Sequence, residues 1–227
     1  MRAVKVTARL ASELSGNAPQ LDALLIDVRC RYHKTAGAHE RYDPAPAMDL
    51  LPPCPIHREM VNGWWVHHVS SPILPPVESD RHERIAQHFP RELSLCLDAK
   101  ERGVIATTNG QHKSQWLPVR RRLVERIVWF AVVHDSPKDL RRELRRSVTH
   151  IGQDRARGSG RVAEWTVETI DEDYSWFAPH PDGTVLMRQL PYGEWLPQDL
   201  IGSFRELCAV TPPYWHPGRV CDAVVPC

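Results

Sequence analysis

Two hydrophobic periods that follow each other twice along the chain constrain its fold more than any other feature. In "RAVKVTARL", Val4, Val6, Ala8 and Leu10 share one face with charged or polar residues between them, the period-two pattern of a half-buried strand. After the turn-like "SGNAP", Leu21, Leu24, Leu25 and Val28 recur at helical spacing with Asp22 and Asp27 between them, so "LDALLIDVRCRYH" predicts an amphipathic helix. The pair returns late. "LVERIVWFAVV" is a dense β-rich run, and "SPKDLRRELRR" opens with serine at a cap position, proline at the first helical position and Asp139 in the first turn. Leu140, Leu144 and Val148 form one stripe of that second helix, and Arg141, Arg142, Arg145 and Arg146 lie off it. "RVAEWTVETI" adds a final alternating strand.

Between these pairs, Pro44 to Pro55 holds five prolines, too many missing donors for regular structure, so an extended connection is expected. "PIHREMV" and "WWVHHVSS" then flank "NG", the dipeptide that best fits a two-residue hairpin turn. From Pro72 to Pro118 the pattern weakens: "DRHERIAQHF" reads as a short helix and "NGQHKSQW" as an exposed loop tip. The resulting order, β-α-ββ-(insertion)-β-α-β, predicts an α+β chain with a ferredoxin-like (RRM-like, split βαβ) palm. The palm takes residues 1–71 and 117–170. Residues 72–116 form the insertion, and residues 171–227 an irregular C-terminal extension packed on the palm, with "PDG" and "PYG" turns and the aromatics Trp176, Tyr192, Trp195, Tyr214 and Trp215.

A chain of 227 residues, 42% apolar, is long enough to bury a sizeable core in one domain or two intimate subdomains. Its net charge of +1 hides an uneven distribution. From Arg120 to Arg161 twelve Lys/Arg face five Asp/Glu, whereas from Val162 to Cys227 three face ten. No stretch approaches the about 18 uncharged apolar residues of a membrane helix, and "MRAVKVTARLASEL" is too polar for a signal peptide, so a cytoplasmic protein that meets no membrane is expected. The six cysteines (Cys30, Cys54, Cys96, Cys208, Cys221, Cys227) are scattered and read as reduced thiols. Cys208, His216, Cys221 and Cys227 gather near the end but lack the C-x2-C pairs of a strong zinc site. Neither a metal nor another cofactor is expected.

The chemistry concentrates in "THIGQDRARGSGRVAEWTVE". This is neither a Walker loop, which needs G-x4-G-K-S/T, nor a dinucleotide fingerprint, which follows the first strand and opens a helix. Gly152 fits a helix-ending cap in the left-handed region. Gly158 and Gly160 flank Ser159 between Arg157 and Arg161, where backbone without Cβ atoms could approach a phosphate while guanidiniums clamp its oxygens. With Arg155, the helix's arginine pairs Arg141–Arg142 and Arg145–Arg146, and Arg120, Arg121 and Arg122, these groups are expected near one edge of one sheet. A solvated helix face with an exposed loop is the bland alternative. Phosphate contacts of this kind supply affinity without sequence readout.

An N-terminal strand followed by "LDALLIDV", a proline-rich crossover and hairpin, and a late "HIGQDRARGSGRV" loop before the last core strand resemble RAMP-superfamily CRISPR-associated proteins. The likeness runs in order over about residues 1–170, and "TPPYWHPGRVCDAVVPC" is similar to the ending seen in type IV systems. The subunit most resembled is the one that holds the 5′ handle of the crRNA in type IV effector complexes. The resemblance implies a ferredoxin-like palm, a thumb-like role for the insertion, and a loop that lies against the handle through Gly152, Arg155, Arg157, Gly158, Gly160 and Arg161. It also implies crRNA and other effector subunits as partners, and allows target DNA near the handle end. In the insertion, His112, Lys113 and Trp116 offer cationic and stacking groups suited to single-stranded RNA, although Trp116 fits a core anchor equally well.

Some RAMP relatives cleave precursor crRNA without metal, which needs a general base, a general acid and a cation near the phosphate. His33 and Lys34, beside Tyr32 at the end of the first helix, would serve in that alternative, a metal-independent crRNA-processing endoribonuclease. Twelve histidines in this chain make one near a basic surface unremarkable. The expectation is therefore a non-catalytic RNA-binding subunit, with a protein–protein scaffold as the third reading.

Overall fold

The structure, a computed structural model, describes residues 1–33, 53–87, 115–134 and 136–227. Strand β1 (Arg2–Leu10) is the centre of a three-stranded antiparallel sheet, between β7 (Arg126–Val133) and β8 (Val162–Thr169). Val4, Val6 and Ala8 of β1 are fully buried, as the alternation requires. Helix α1 (Leu21–His33) presents Leu21, Leu24, Leu25 and Val28 to the same core, and α2 (Pro137–Ser147) presents Leu140 and Leu144. Trp129 and Trp165 pack within it with ring centroids 5.9 Å apart. Their indole N–H groups donate to the carbonyls of Pro19 (3.2 Å) and Val148 (2.9 Å), which lets two polar-tipped rings be buried without an orphaned donor. Helix α2 starts as its sequence demands: the Ser136 hydroxyl accepts from the Lys138 N–H, and Pro137 sits where the missing donor costs nothing.

The hairpin also forms at "NG". Strands β3 (Arg58–Val61) and β4 (Trp64–His67) pair across Asn62 (φ 48°) and Gly63 (φ 82°), the two positive angles a type I′ turn needs. These strands do not extend the central sheet. They make a two-stranded sheet of their own, and among the described residues the other edge of β7 is met by isolated bridges, Ile56 to Val133, Val69 to Ala131 and Ile73 to Val128.

This overturns the expected α+β, ferredoxin-like palm. The molecule is mostly β, with several small sheets, almost all their pairings antiparallel, and two α-helices among the described residues. Three further departures share one cause, pairing with distant segments. The described part of the expected short helix, "DRHERIAQ", is extended instead: Ser79–Gln87 is strand β5, held over nine residue pairs by β6 (Gln115–Leu123), which also takes β2 (Leu14–Ser15) on its other edge. Arg120, Arg121 and Arg122 therefore lie in this sheet, not in that of β1. The C-terminal segment is not irregular. It holds β9 (Phe177–His180), β10 (Gly183–Leu186) and β12 (Leu200–Ile201) in one sheet, and β11 (Leu190–Pro191), β13 (Ser203–Ala209) and β14 (Val220–Pro226) in another.

That segment builds a second core with the hairpin: Val61 and Val66 meet Leu186, Leu190, Val210, Ala223 and Val224, with Trp176 and Trp195 packed alongside. A buried polar network joins the two cores. Arg188, fully buried, donates to the carbonyls of His67 (2.7 Å), Val69 (3.1 Å) and Val210 (3.1 Å) and to the Tyr214 hydroxyl (2.7 Å). Tyr214 in turn donates to Asp22 at the start of α1 (2.7 Å). Burial by itself would raise the Asp22 carboxyl, but His67, Arg188 and Tyr214 hold it down at about 2. Of the tail aromatics, Trp176, Trp195 and Tyr214 are thus packed, whereas Tyr192 and Trp215 stand exposed.

Candidate nucleic-acid interface

The glycine-rich segment is stapled into the fold on both sides. The Ile151 N–H donates to the Gly160 carbonyl (2.8 Å) and the Val162 N–H to that of Thr149 (2.9 Å), which closes the loop on itself. The Gly160 N–H donates to Glu13 O (2.8 Å) and the Gln153 N–H to Ser15 O (2.9 Å), which fastens it to the chain after β1. Ser12 is a double clasp: its hydroxyl donates to Gly158 O (2.8 Å) and accepts from the Arg161 N–H (2.9 Å). Ser159 is buried and its hydroxyl accepts from Arg121 at 2.6 Å. A short 3-10 turn, Arg155–Arg157, sits between Asp154 and Gly158, both in the left-handed region.

The three loop glycines consequently do different things. A Cβ on Gly160 would lie 1.8 Å from the Ile151 carbonyl oxygen, and one on Gly152 2.6 Å from that of Ser15. Both let backbone meet backbone inside the protein. Gly152 is no helix cap, since α2 already ends at Val148. Only Gly158 faces open space, with a positive φ and nothing within 4 Å of where a Cβ would be. Of the backbone expected to lie bare for a phosphate, this one residue is bare.

The arginines separate in the same way. Arg120 grips Asp80 with two nitrogens, Arg121 pairs with Glu83, and Arg122 donates to Gly16 O at 2.7 Å. The hydrogen bond from Arg120, chiefly, holds the Asp80 carboxyl below the usual range. Arg155 and Arg157 point outward with looser partners, Asp27 at 3.9 Å and Asp154 at 3.4 Å. Arg145, Arg146 and Arg161 are exposed and make no ion pair with another described residue. The expected single sheet edge carrying all of them does not exist. The loop meets β6 through the hydrogen bond from Arg121 to Ser159.

A run of three adjoining clefts does exist. The first, between α2 and β8, is walled by Arg9, Arg141, Arg145, Thr149 and Glu164. It shares Val148 and Thr149 with a second, which adds Asp27, His150 and Arg155. The third shares Asp27 and Arg155 and reaches Gly152, Gln153 and Asn17. Arg9, Thr149, His150 and Ser12 were not among the sequence candidates. Arg141 sits on a helix face that the arginine pattern already marked, but Arg9 and Ser12 reach the site only because β1 pairs with β8. His112, Lys113 and Lys34 lie outside the described residues, as do the side chains of Trp116, on β6, and of His33, the last residue of α1. No helix among the described residues is long and apolar enough to cross a membrane. Neither a protein-family model nor a curated protein matches this chain.

Proposed function

We propose that this protein is a non-catalytic RNA-binding subunit of a CRISPR effector ribonucleoprotein, which holds the 5′ handle of the crRNA by its phosphodiester backbone. The observation that carries the reading is the cleft between α2 and β8, lined by Arg9, Arg141 and Arg145, with exposed Arg161 next in sequence to its lining residue Val162. Guanidiniums in a row suit successive phosphates, because each offers a planar fork of donors to two oxygens. Arg9 and Arg141 share the single carboxylate of Glu164, at 3.7 and 3.9 Å. Such exposed pairs are weak, so phosphate can replace the carboxylate at small cost. Rigidity of the loop lowers the ordering cost of binding. The order of motifs shared with RAMP proteins supports the choice of RNA, and exposed Tyr192 and Trp215 suit contact with neighbouring subunits.

The test uses labelled repeat RNA and the full chain. Arg145→Ala with Arg161→Ala should weaken binding roughly tenfold or more and lower the slope of log affinity against log salt by about 1.4, since each single-strand phosphate contact carries about 0.7. The RNA should stay intact. Unchanged affinity in a folded double variant would remove the basis for the cleft, and cleavage abolished by His33→Ala would favour the processing nuclease.

A further inference from the structure

We propose that His57, Glu59 and His68 form a binding site for a divalent transition-metal ion of the zinc class, with Asp173 as the outer partner that orients His68. Strand geometry brings the three donors together. Residues two apart on a strand share a face, which aligns His57 with Glu59. The β3–β4 register, Arg58 opposite His67, puts His68 across from His57, and the His68 N–H donates to the His57 carbonyl at 2.7 Å. One donor atom from each of the three side chains lies within 4.8 Å of the others.

The His68–Glu59 pair suits a small ion, and a side-chain rotation brings the His57 donor, which lies within 4.8 Å of both, into the same shell. His68 Nε2 is 3.2 Å from Glu59 Oε2, and ligands about 2.0–2.1 Å from a tetrahedral zinc stand roughly 3.3 Å apart. Asp173 Oδ2 lies 3.4 Å from His68 Nδ1, with the Ser175 hydroxyl at the same distance. With Nδ1 protonated toward that carboxylate, Nε2 carries the lone pair that faces Glu59, which is the arrangement that readies an imidazole for a metal. Trp176 stacks on the His68 ring at 4.0 Å and fixes its plane. His134 adds a fourth side chain, its Nε2 3.4 Å from His57 Nδ1.

Two imidazoles with one carboxylate favour zinc, cobalt, nickel or copper over magnesium or calcium, which prefer all-oxygen shells. A bound ion would tie the hairpin to the segment that opens the C-terminal sheets, since Asp173 and Trp176 belong to that segment.

The experiment titrates the full chain, prepared without a polyhistidine tag and stripped by a chelator, with Co(II) and then Zn(II). One equivalent of cobalt should bind with visible d–d bands and without thiolate charge-transfer bands, and zinc should displace it. His57→Ala with His68→Ala should abolish that equivalent. Glu59→Gln, at an exposed side chain that leaves the hairpin intact, should weaken it about tenfold, and Asp173→Asn roughly 10- to 100-fold. No bound equivalent in the wild type, thiolate bands from the cysteines, or an unchanged affinity in Glu59→Gln would overturn the site.

Discussion

Arg188→Met is expected to destabilise the protein by about 3–5 kcal/mol, measured as a lower urea midpoint at an unchanged slope. The arginine is fully buried and satisfies three backbone carbonyls and the Tyr214 hydroxyl, while its charge lies 3.7 Å from Asp22. Methionine fills much of the volume but leaves those acceptors unpaired and a buried carboxylate short of its cation. Adding Asp22→Asn should cost less than the sum of the two single changes, because both act in one network. The acid limb carries a second signature. Asp22 titrates at about 2 in the fold against an ordinary 3.8, so it contributes about 2 kcal/mol that is present above pH 5 and is lost as the pH falls toward 2. Arg188→Met should flatten that limb. A loss below about 1 kcal/mol, or an unchanged acid limb, would show that the network does not join the two cores.

Gly160→Ala should cost about 3–5 kcal/mol, whereas Gly158→Ala should cost only about 1–2. Both residues have a positive φ, 64° and 81°, and the left-handed region alone costs an alanine about 1–2 kcal/mol. Gly160 adds a collision with the Ile151 carbonyl at 1.8 Å, which only a shift of backbone can relieve, at a further overpacking cost of about 1–3 kcal/mol. Its N–H and C=O both hold the loop, so the shift would also break the bonds to Glu13 and Ile151. A Cβ on Gly158 meets nothing within 4 Å. Equal destabilisation of the two variants, read by thermal or denaturant unfolding, would contradict the packing of the loop. Weaker RNA binding by a folded Gly158→Ala would agree with close approach of a backbone phosphate at that residue.

Two of the arginines that line the clefts, Arg145 and Arg155, were legible because they fall within one helix end and one loop whose residue types already suggest phosphate chemistry, whereas Arg9 is brought there by the pairing of β1 with β8. What the pattern could not say is which glycine packs and which faces out. Gly158 and Gly160 each stand between an arginine and Ser159, and the backbone of Ile151 and Glu13, distant in sequence, packs against Gly160 and not Gly158. The same holds for Arg120 and Arg121, whose carboxylate partners, Asp80 and Glu83, lie some forty residues away across β5 and β6. The histidine and glutamate cluster escaped for a related reason. "IHREMV" and "WVHH" each look like ordinary hairpin strands, and their donors meet only through cross-strand register.

By itself the sequence determined the elements whose signal is local: strand β1 and helix α1 from their periods, the cap of α2 from Ser136 and Pro137, and the hairpin turn from Asn62 and Gly63. Each rests on steric and hydrogen-bonding preferences within a few residues, which no distant contact needs to supply. Tertiary structure alone decided how those elements assemble. Ser79–Gln87 became a strand because β6 offers it nine paired residues, and the hairpin left the central sheet to pack on the C-terminal strands. Asp22 became a buried anion because Arg188, Tyr214 and His67 converge on it from segments far apart in the chain. Pairing and burial reward contacts between residues that no local window contains, and where they compete with propensity they outweigh it.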